Sequence, residues 1–394
     1  MYVLDGIMVA DFTTNLNGAY ATMLLSDMGA DVIKIEPFEG DPFRATVPAG
    51  FMAVNRGKRS IAVNLRKTPG KEIVHKVIAA SDFVVENARW GVWHKLGFDH
   101  ESVVKIKPDI IYVSILGHGS KGPHSSWPAF DALMQCRSGQ MVAQGGIGKP
   151  PVFARVPIND QAGPMLGAYG AMLALFVRAK TGKGQHVETS MINASIAMQS
   201  GDFIDYPGME RKYLGDADIR GLSATNRHYQ TEDCRWVFVL CPHEQHWVGL
   251  CRAMKLETLL SDPRFETPKK RAEHDEALVE ILSAAFRGKS AAAWIAALQQ
   301  AGVPIALGQT VEEVLSDPHC LQTNVFTDQD HPQFGHVRLL GVGPRFSEMS
   351  GVIRRHAPLV GQHTDEVLTE LGYAEEQIAE LKANRIVLSA EESS

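Results

Sequence analysis

Cysteine is scarce in this 394-residue chain, and its few residues are not arranged in pairs. The five are scattered, odd in number and free of any CxxC motif: Cys136, Cys234, Cys241, Cys251 and Cys320. A disulfide framework needs an even set, and the common zinc sites need closely spaced ligand pairs. The sequence therefore predicts neither a disulfide-stabilised secreted fold nor a zinc site, and a reducing cytoplasm fits it best.

Long apolar runs, a leader pattern and an excess of positive charge are lacking as well. No stretch of the sequence approaches the roughly 18 apolar residues of a membrane span. The start, "MYVLDGIMVADF", places Asp5 where a secretory signal carries positive charge. The formal net charge of −6 argues against a general nucleic-acid binder, although it leaves room for a local basic pocket. We therefore expect a cytoplasmic protein that neither crosses a membrane nor binds nucleic acid.

What the sequence does have is a βαβ rhythm. Its first 120 residues alternate short β-rich runs with helical patterns, as in "GIMVADF", "AYATMLLSDMGA" and "DVIKIE". This alternation predicts an α/β fold with a mostly parallel sheet covered on both faces, and ligands beyond the carboxyl ends of its strands. The region from about Arg227 to Val325 differs, because its β-rich runs come first and its helices follow, which indicates a separate, smaller α+β unit.

Two segments have the composition of ligand-binding loops. "GHGSKG", Gly117 to Gly122, follows the predicted strand "DIIYVSIL" and matches GxGxxG. Pro123 and Pro128 stand where a phosphate-binding helix should begin, which argues against a dinucleotide site and for a glycine-lined loop close to some other ligand.

The second segment, "NRGKRS", places Arg56, Lys58 and Arg59 just ahead of a strand. Such a cluster is usually a solvated loop. Arg89 and Lys95 lie near the end of another strand of the same predicted sheet, so we expect some of these cations to converge on phosphates.

One carboxylate, Asp160 in "VPINDQAGPMLGAYGAML", precedes a helical run. Asp is favoured as a helix N-cap and Pro164 suits a first turn, so the residues alone favour a capping role. A nucleophilic role is compatible with it, because the positive end of a helix dipole favours the ionised carboxylate that attacks an activated acyl group. "HEQHW", at 243–247, lacks the spacing of a zinc-protease motif, and we expect no metal there.

Taken in order, the landmarks resemble the class III CoA-transferase family, the group of formyl-CoA transferase, carnitine CoA-transferase and α-methylacyl-CoA racemase. The resemblance rests on "MLLSDMGADVIKIEP", "NRGKRSIAVNL", "VEN" with "GVWHKLGFD", "SILGHGSKGP", "PAFDALMQCRSG", "DQAGPMLGAYGAMLALFVRAKTGKGQHVETSM" and "PLVGQHTDEVLTELG". It covers nearly the whole chain.

The resemblance implies that Asp160 is the nucleophile of a transferase that moves CoA between carboxylic acids through a mixed anhydride and an aspartyl-CoA thioester. Backbone N–H groups of the loop around Gly117 and Gly119 would stabilise the oxyanions. Positions implied to bind CoA are Asn15, Leu16, Asn17, Val63, Asn87, Ala88, Arg89, Lys95, Leu116 and His118. The family loop reads like GFGQTGP, and this chain departs from it at His118 and Ser120.

The same resemblance implies an architecture and leaves two alternatives open. It implies a large Rossmann-like lobe (1–200), a linker (201–226), a small α+β lobe (227–325) and a return linker with the end of the large lobe (326–394), in an interlocked homodimer. Acyl-CoA and a carboxylic acid would be substrates, with no permanently bound cofactor. One alternative is an α-methylacyl-CoA racemase, but Phe130 stands where those enzymes place a histidine, and a phenyl ring cannot carry a proton. The other is a partner subunit of a heteromeric transferase.

Overall fold

The computed structural model describes residues 1–146, 148–209 and 220–390. Contacts divide the chain into two compact units. The first comprises the described residues of Met1–Ser138, Ala154–Tyr206 and His319–Ser394, and the second those of Gly139–Phe153 and Pro207–Pro318. The first unit is thus built from both ends of the chain. Segment 139–153, which the sequence analysis placed in the large lobe, belongs to the second unit.

The strands are β1 (Met8–Asp11), β2 (Asp31–Glu36), β3 (Arg59–Val63), β4 (Phe83–Glu86), β5 (Ile111–Leu116), β6 (Gln185–Ser190), β7 (Gly221–Ser223), β8 (Asn226–Gln230), β9 (Trp236–Leu240), β10 (Ile305–Leu307), β11 (Phe326–His331), β12 (Gly335–Leu340) and β13 (Val387–Leu388). The α-helices are α1 (Ala19–Asp27), α2 (Phe43–Thr46), α3 (Pro48–Asn55), α4 (Thr68–Ala80), α5 (Val92–Leu96), α6 (His100–Val103), α7 (Asp131–Arg137), α8 (Gln140–Gly145), α9 (Ile158–Thr181), α10 (Met191–Gln199), α11 (Glu244–Met254), α12 (Pro268–Glu273), α13 (Asp275–Phe286), α14 (Ala291–Gln300), α15 (Val311–Leu315), α16 (Pro318–Gln322), α17 (Thr364–Glu370) and α18 (Glu375–Ala383).

The first unit is organised around a seven-stranded sheet in the order β13-β3-β2-β1-β4-β5-β6. All neighbouring pairs from β3 to β6 are parallel, and only β13 joins antiparallel. Every residue of β3, β4 and β5 is buried, as expected of parallel strands covered on both faces. The predicted α/β architecture with a mostly parallel sheet is therefore confirmed.

The strand order also predicts where a ligand binds. The order 3-2-1-4-5-6 is that of the doubly wound dinucleotide fold, in which the strand order reverses between strands 1 and 4. A crevice opens at this switch point, outside the carboxyl ends of the strands. Here it is flanked by the loop after β1 (residues 12–18) and the loop after β4 (residues 87–91).

The second unit has its own core. Its antiparallel sheet, in the order β10-β9-β8-β7, packs with α11, α13 and α14 around large buried side chains such as Trp247, Phe286 and Trp294. This is an α+β arrangement, since the strands and helices are segregated instead of alternating.

The longest helix of the first unit, α9, begins after Pro157 and ends at Thr181, followed by the C-cap residue Gly182, whose φ of 71° is left-handed. Its small residues Ala168, Ala171 and Ala174 are buried in the core of this unit. By length and composition alone, α9 is apolar enough to cross a membrane, a test that core helices also pass. The expectation that no stretch approaches such a composition was therefore wrong.

Candidate active site

A cavity of about 950 Å³ opens at the switch point of the parallel sheet. Three chain segments meet there: the loop after β1, the loop after β4, and the first turn of α9 with Asp160. The segment 127–130, just before α7, forms another part of the wall. Loops at the carboxyl ends of separate strands thus converge on one carboxylate.

The loops after β1 and β4 are joined by the side chain of Asn87. Its Oδ1 accepts from the Thr14 backbone N–H at 2.9 Å, while its Nδ2 donates to the carbonyls of Thr14, at 2.8 Å, and Asn17. Gly18 has a φ of 83°, and a β-carbon there would come within 2.8 Å of the Asn87 side chain. The two loops therefore behave as one rigid wall of the cavity, which requires both Asn87 and a glycine at 18.

Beneath this wall lies a network of buried charges. Lys58 donates to Asp11 at 2.9 Å, and Lys34 pairs with Asp41 at 3.0 Å and donates to the Thr13 carbonyl at 2.7 Å. Asp41 in turn accepts from the Asn15 backbone N–H at 3.1 Å. Burial opposes charge on Asp11, but Lys58 and Lys34 outweigh it and hold the pKa of Asp11 below its usual value. Each charged group of the network is paired with another charged group or hydrogen-bonded to the backbone of residues 13–15. The network therefore fixes that stretch of backbone.

Ion pairs within the protein bear on the prediction that some of the clustered cations converge on phosphates. Lys58 and Arg59 are both buried. Lys58 forms an ion pair with Asp11, and Arg59 forms ion pairs with Asp31 and, at 2.9 Å, with Glu366, so neither is exposed to bind a phosphate. Arg56 lines the cavity but pairs with Asp27 at 2.7 Å. Sequence alone does not reveal such pairing, because the carboxylate partners of Lys58 and Arg59 are 28 residues or more away.

The structure brings most of the predicted CoA-binding residues into this cavity. Its lining includes Asn15, Leu16, Asn17, Asn87, Ala88 and Arg89, together with Gly117 and Asp160. The remaining predicted positions, which include His118, are not among its lining residues. Val63 and Leu116 are buried at the ends of β3 and β5, and Lys95 is exposed on α5. Their contact with CoA stays a prediction.

The glycine loop after β5 is held from two sides. Gly117 accepts from the Ile192 backbone N–H at 3.1 Å, and the Ser120 backbone N–H donates to Glu188 Oε1 at 2.9 Å. A β-carbon on Gly117 would stand 2.1 Å from that of Ala129, so this position needs glycine for close approach. His118 is half-buried, its ring centroid 6.1 Å from that of His124. Burial and the charge of Arg137 lower the pKa of its imidazole.

Asp160 is not a helix cap. The N-cap position of α9 is Pro157, and Asp160 stands three residues further on, in the first turn. The capping acceptor comes from another helix: Asp131 Oδ2, at the start of α7, accepts from the backbone N–H groups of Asn159 at 2.7 Å and of Asp160 at 3.1 Å. Burial, together with the charge of Asp131, raises the pKa of Asp160 to about 7. Asp160 thus titrates near neutrality, in a range typical of catalytic groups.

Asp131 is the site residue that sequence reasoning missed. Within "PAFDA", the sequence prediction concerned Phe130, which lines the cavity and is 66% exposed. The available signal was the spacing of Asp131 and Gln135, which places both on one face of a helix, where they bond to each other. Among the residues that the structure describes, no group of three or more His, Cys, Asp or Glu could hold a metal ion.

Comparisons with known proteins identify the family of this chain. The sequence model of CoA-transferase family III matches residues 4–364. Succinyl-CoA:glutarate CoA-transferase of Mus musculus is 32% identical over 98% of this chain and 91% of its own length. Acetyl-CoA:oxalate CoA-transferase of Acetobacter aceti is 34% identical over 82% and 84%. The crystal structure of a CaiB/BaiF family protein from Brucella suis superposes with a TM-score of 0.85 at 29% identity, covering 94% of this chain and all of that one.

A parallel sheet whose switch point holds a titratable carboxylate, and full-length similarity to several transferases, lead to one assignment: the chain belongs to CoA-transferase family III and is a CoA-transferase.

Proposed function

We propose that this enzyme moves CoA between two carboxylic acids with Asp160 as its covalent nucleophile. The observation that supports this role is the position of Asp160: a half-buried carboxylate on the wall of the cavity formed by the predicted CoA-binding loops. A pKa of about 7 leaves a substantial fraction of the carboxyl ionised at neutral pH. An ionised carboxylate is the form that attacks a thioester.

The proposed reaction has two symmetric halves. The Asp160 carboxylate attacks the donor thioester, a C–O bond forms, the C–S bond breaks, and CoA leaves as a thiolate. The thiolate attacks the Asp160 carbonyl of the mixed anhydride, which releases the donor acid and leaves an aspartyl-CoA thioester. The acceptor carboxylate then repeats both steps in reverse. The anhydride is needed because it keeps the energy of the thioester bond within the site.

The loop at Gly117 and Gly119 is the proposed source of oxyanion stabilisation, and the exposed cations Arg89 and Lys95 are the proposed partners of the CoA phosphates. Preorganised backbone donors stabilise tetrahedral intermediates by about 3 kcal/mol each in other enzymes. The rigid attachment of this loop through Glu188 and Ile192 supports such preorganisation. Arginine and lysine outside internal ion pairs are the groups that bind phosphate oxygens.

The proposed assembly is an interlocked homodimer. Its support is an apolar stripe on α9, formed by Met165, Tyr169, Leu173 and Phe176, whose spacing of three and four residues places them on one helix face. Each is at least 48% exposed in the isolated chain. Soluble monomers rarely expose large contiguous apolar patches, so a second copy of this chain is the proposed cover.

The names of the relatives suggest where to look for substrates, since they pair succinyl-CoA with glutarate and acetyl-CoA with oxalate. We propose short dicarboxylic acids as acceptors. A screen of carboxylic acids against succinyl-, acetyl- and formyl-CoA, read by the mass of the CoA product, identifies the pair.

The role of Asp160 is tested with the pair found in that screen. Asp160→Ala and Asp160→Asn are expected to fold and to lose transfer. Asp82→Asn serves as the matched control, because Asp82 pairs with Arg178 at the opposite end of α9. Transfer retained in Asp160→Ala would show that Asp160 is not the nucleophile.

A further inference from the structure

We propose that Asp131 is a positioning residue for the nucleophile: it accepts hydrogen bonds from two backbone N–H groups in the first turn of α9, and its negative charge favours the neutral forms of Asp160 over the free carboxylate. Those neutral forms are the protonated acid, the anhydride and the thioester. This inference rests on the proposed role of Asp160 but concerns a different residue and a separately measurable property.

The geometry holds Asp131 rigidly. Its side chain is buried, with 8% of the residue exposed, and Oδ2 accepts from the two N–H groups of Asn159 and Asp160. Its Oδ1 accepts from Gln135 Nε2. Gln135 is fully buried and is itself fixed to the backbone of Ala154 by two bonds of 3.0 Å each. The carboxylate therefore cannot turn away from α9 without leaving buried polar groups unpaired.

This arrangement removes the usual benefit of a helix N-terminus from Asp160. Unpaired first-turn N–H groups stabilise a nearby anion, and a carboxylate in the first turn is normally favoured as its ionised form. At α9 two of these donors are already bonded to Asp131. Asp160 therefore faces a second anion where it would otherwise face free donors.

The surrounding elements provide other titratable groups. Helix α1 carries Tyr20 and Asp27, strand β5 carries Tyr112, strand β6 carries His186 and Glu188, and α7 carries Cys136 and Arg137 beside Asp131. The cavity wall adds Arg56 and Arg89. Among the described residues, Asp131 is the charge that acts on the pKa of Asp160, in the same direction as burial.

Before the reaction, the charge of Asp131 raises the free energy of the ionised Asp160 carboxylate. When Asp160 attacks the thioester, its negative charge passes to the departing CoA sulfur, and the repulsion from Asp131 ends. The anhydride and the aspartyl thioester are both neutral at Asp160. The charge of Asp131 thus favours the covalent intermediates relative to the free carboxylate.

The variant that tests this is Asp131→Asn, which removes the charge and keeps an oxygen acceptor for α9. The pH midpoint of kcat/KM is expected to fall by about one unit, since a like charge at this range shifts a carboxyl pKa by that order. At a pH above both midpoints, the rate of acylation is expected to fall by about three- to tenfold, because a less basic carboxylate is a weaker nucleophile. A mainly structural role would lower activity at every pH without moving the midpoint.

Two further variants serve as a replacement and as a control in this test. Asp131→Ser also lacks the charge and retains an acceptor, so it replaces Asp131→Asn if that variant does not fold. Asp82→Asn removes a carboxylate that accepts from the Met8 backbone N–H at 2.9 Å and pairs with Arg178 on α9. It is expected to leave the midpoint unchanged, because Asp82 contacts the last turn of the helix.

A titration without substrate separates this proposal from the transfer mechanism. Infrared spectra of protein labelled with carbon-13 at the aspartate carboxyl, with the Asp160→Asn spectrum subtracted, report the ionisation of Asp160 directly. A lower midpoint in a folded Asp131 variant supports the proposal even if Asp160 proves dispensable for transfer. An unchanged midpoint in both Asp131 variants overturns it.

Discussion

Asp160 combines its proposed chemical role with an energetic cost to the fold. An unfolded Asp titrates near 3.9, whereas the pKa of Asp160 in the folded chain is raised to about 7 by burial and by Asp131. The folded state therefore holds a proton that the unfolded state loses between these two values. The resulting destabilisation is absent below about pH 4, grows as the pH rises to about 7, and is constant above it.

Asp160→Asn, which never ionises, is consequently expected to be more stable than the wild type by about 2–4 kcal/mol near pH 8 and equally stable near pH 4. Urea unfolding at both values measures the difference. Asp160→Asn that is no more stable than the wild type at the higher pH would contradict the raised pKa.

His118 provides the second test at this scale, because it is the nearby group that could exchange an α-proton in place of the missing histidine at Phe130. Burial and Arg137 lower the pKa of its ring, so it is neutral at pH 7 and able to accept a proton. Transfer chemistry never breaks the α-C–H bond. A 2-methylacyl-CoA labelled with α-deuterium is therefore expected to keep its label while CoA passes to an added acid.

The matched variant is His118→Ala, which should leave label retention unchanged. Washout faster than transfer in the wild type, abolished in His118→Ala, would place the chain in the racemase branch of the family.

Among the structural elements, the glycine loop after β5 has a strict steric requirement at Gly117. Gly117→Ala would bring two β-carbons to 2.1 Å, so the loop or the segment at Ala129 must move. We expect a loss of stability of about 1–3 kcal/mol and a larger loss of kcat, because the loop is the proposed oxyanion site. Thermal unfolding and transfer kinetics measure both effects.

Two controls separate the clash from other effects of the substitution. Gly201→Ala meets no atom within 4 Å and should change neither quantity. Ala129→Gly, combined with Gly117→Ala, removes the clashing β-carbon and should restore most of the activity. Failure of that rescue would contradict a steric role for Gly117.

At the scale of the elements, the sequence alone predicts the parallel sheet but not the contacts between distant residues. The βαβ rhythm predicted the parallel sheet because each strand and helix has its own hydrophobic period, and the ends of β1, β4 and β5 could be named in advance. The charge pairs could not, since Lys58 meets Asp11 across 47 residues and shares no local pattern with it. Asp131 was missed for the same reason: its partners Asn159 and Asp160 lie 28 and 29 residues further along the chain.

At the scale of the whole molecule, the chain builds its larger unit from segments that include both termini, and the second unit from segments that lie between them in the sequence. The stripe on α9 belongs to the larger unit and is the proposed contact with a second copy. Tyr169→Glu and Phe176→Glu are expected to convert a dimer to a monomer, since a buried unpaired carboxylate costs several kcal/mol. Sedimentation velocity reads the state directly.

The control for that experiment is Val311→Glu, which changes an isolated apolar residue, 70% exposed, on α15 of the second unit. It should leave the assembly unchanged. A wild-type chain that sediments as a monomer would contradict the proposed dimer.

The proposed transfer mechanism depends most on the covalent step at Asp160, and an oxygen label tests that step directly. In the proposed sequence, one carboxylate oxygen of the acceptor acid stays on Asp160 when the acceptor leaves as its CoA thioester. Trypsin releases residues 156–178, in which Asp160 is the one side-chain carboxyl. After turnover with an acceptor labelled with oxygen-18, mass spectrometry of this peptide is expected to show the label at Asp160. If the enzyme has transferred CoA but this peptide carries no oxygen-18, the covalent role of Asp160 is contradicted.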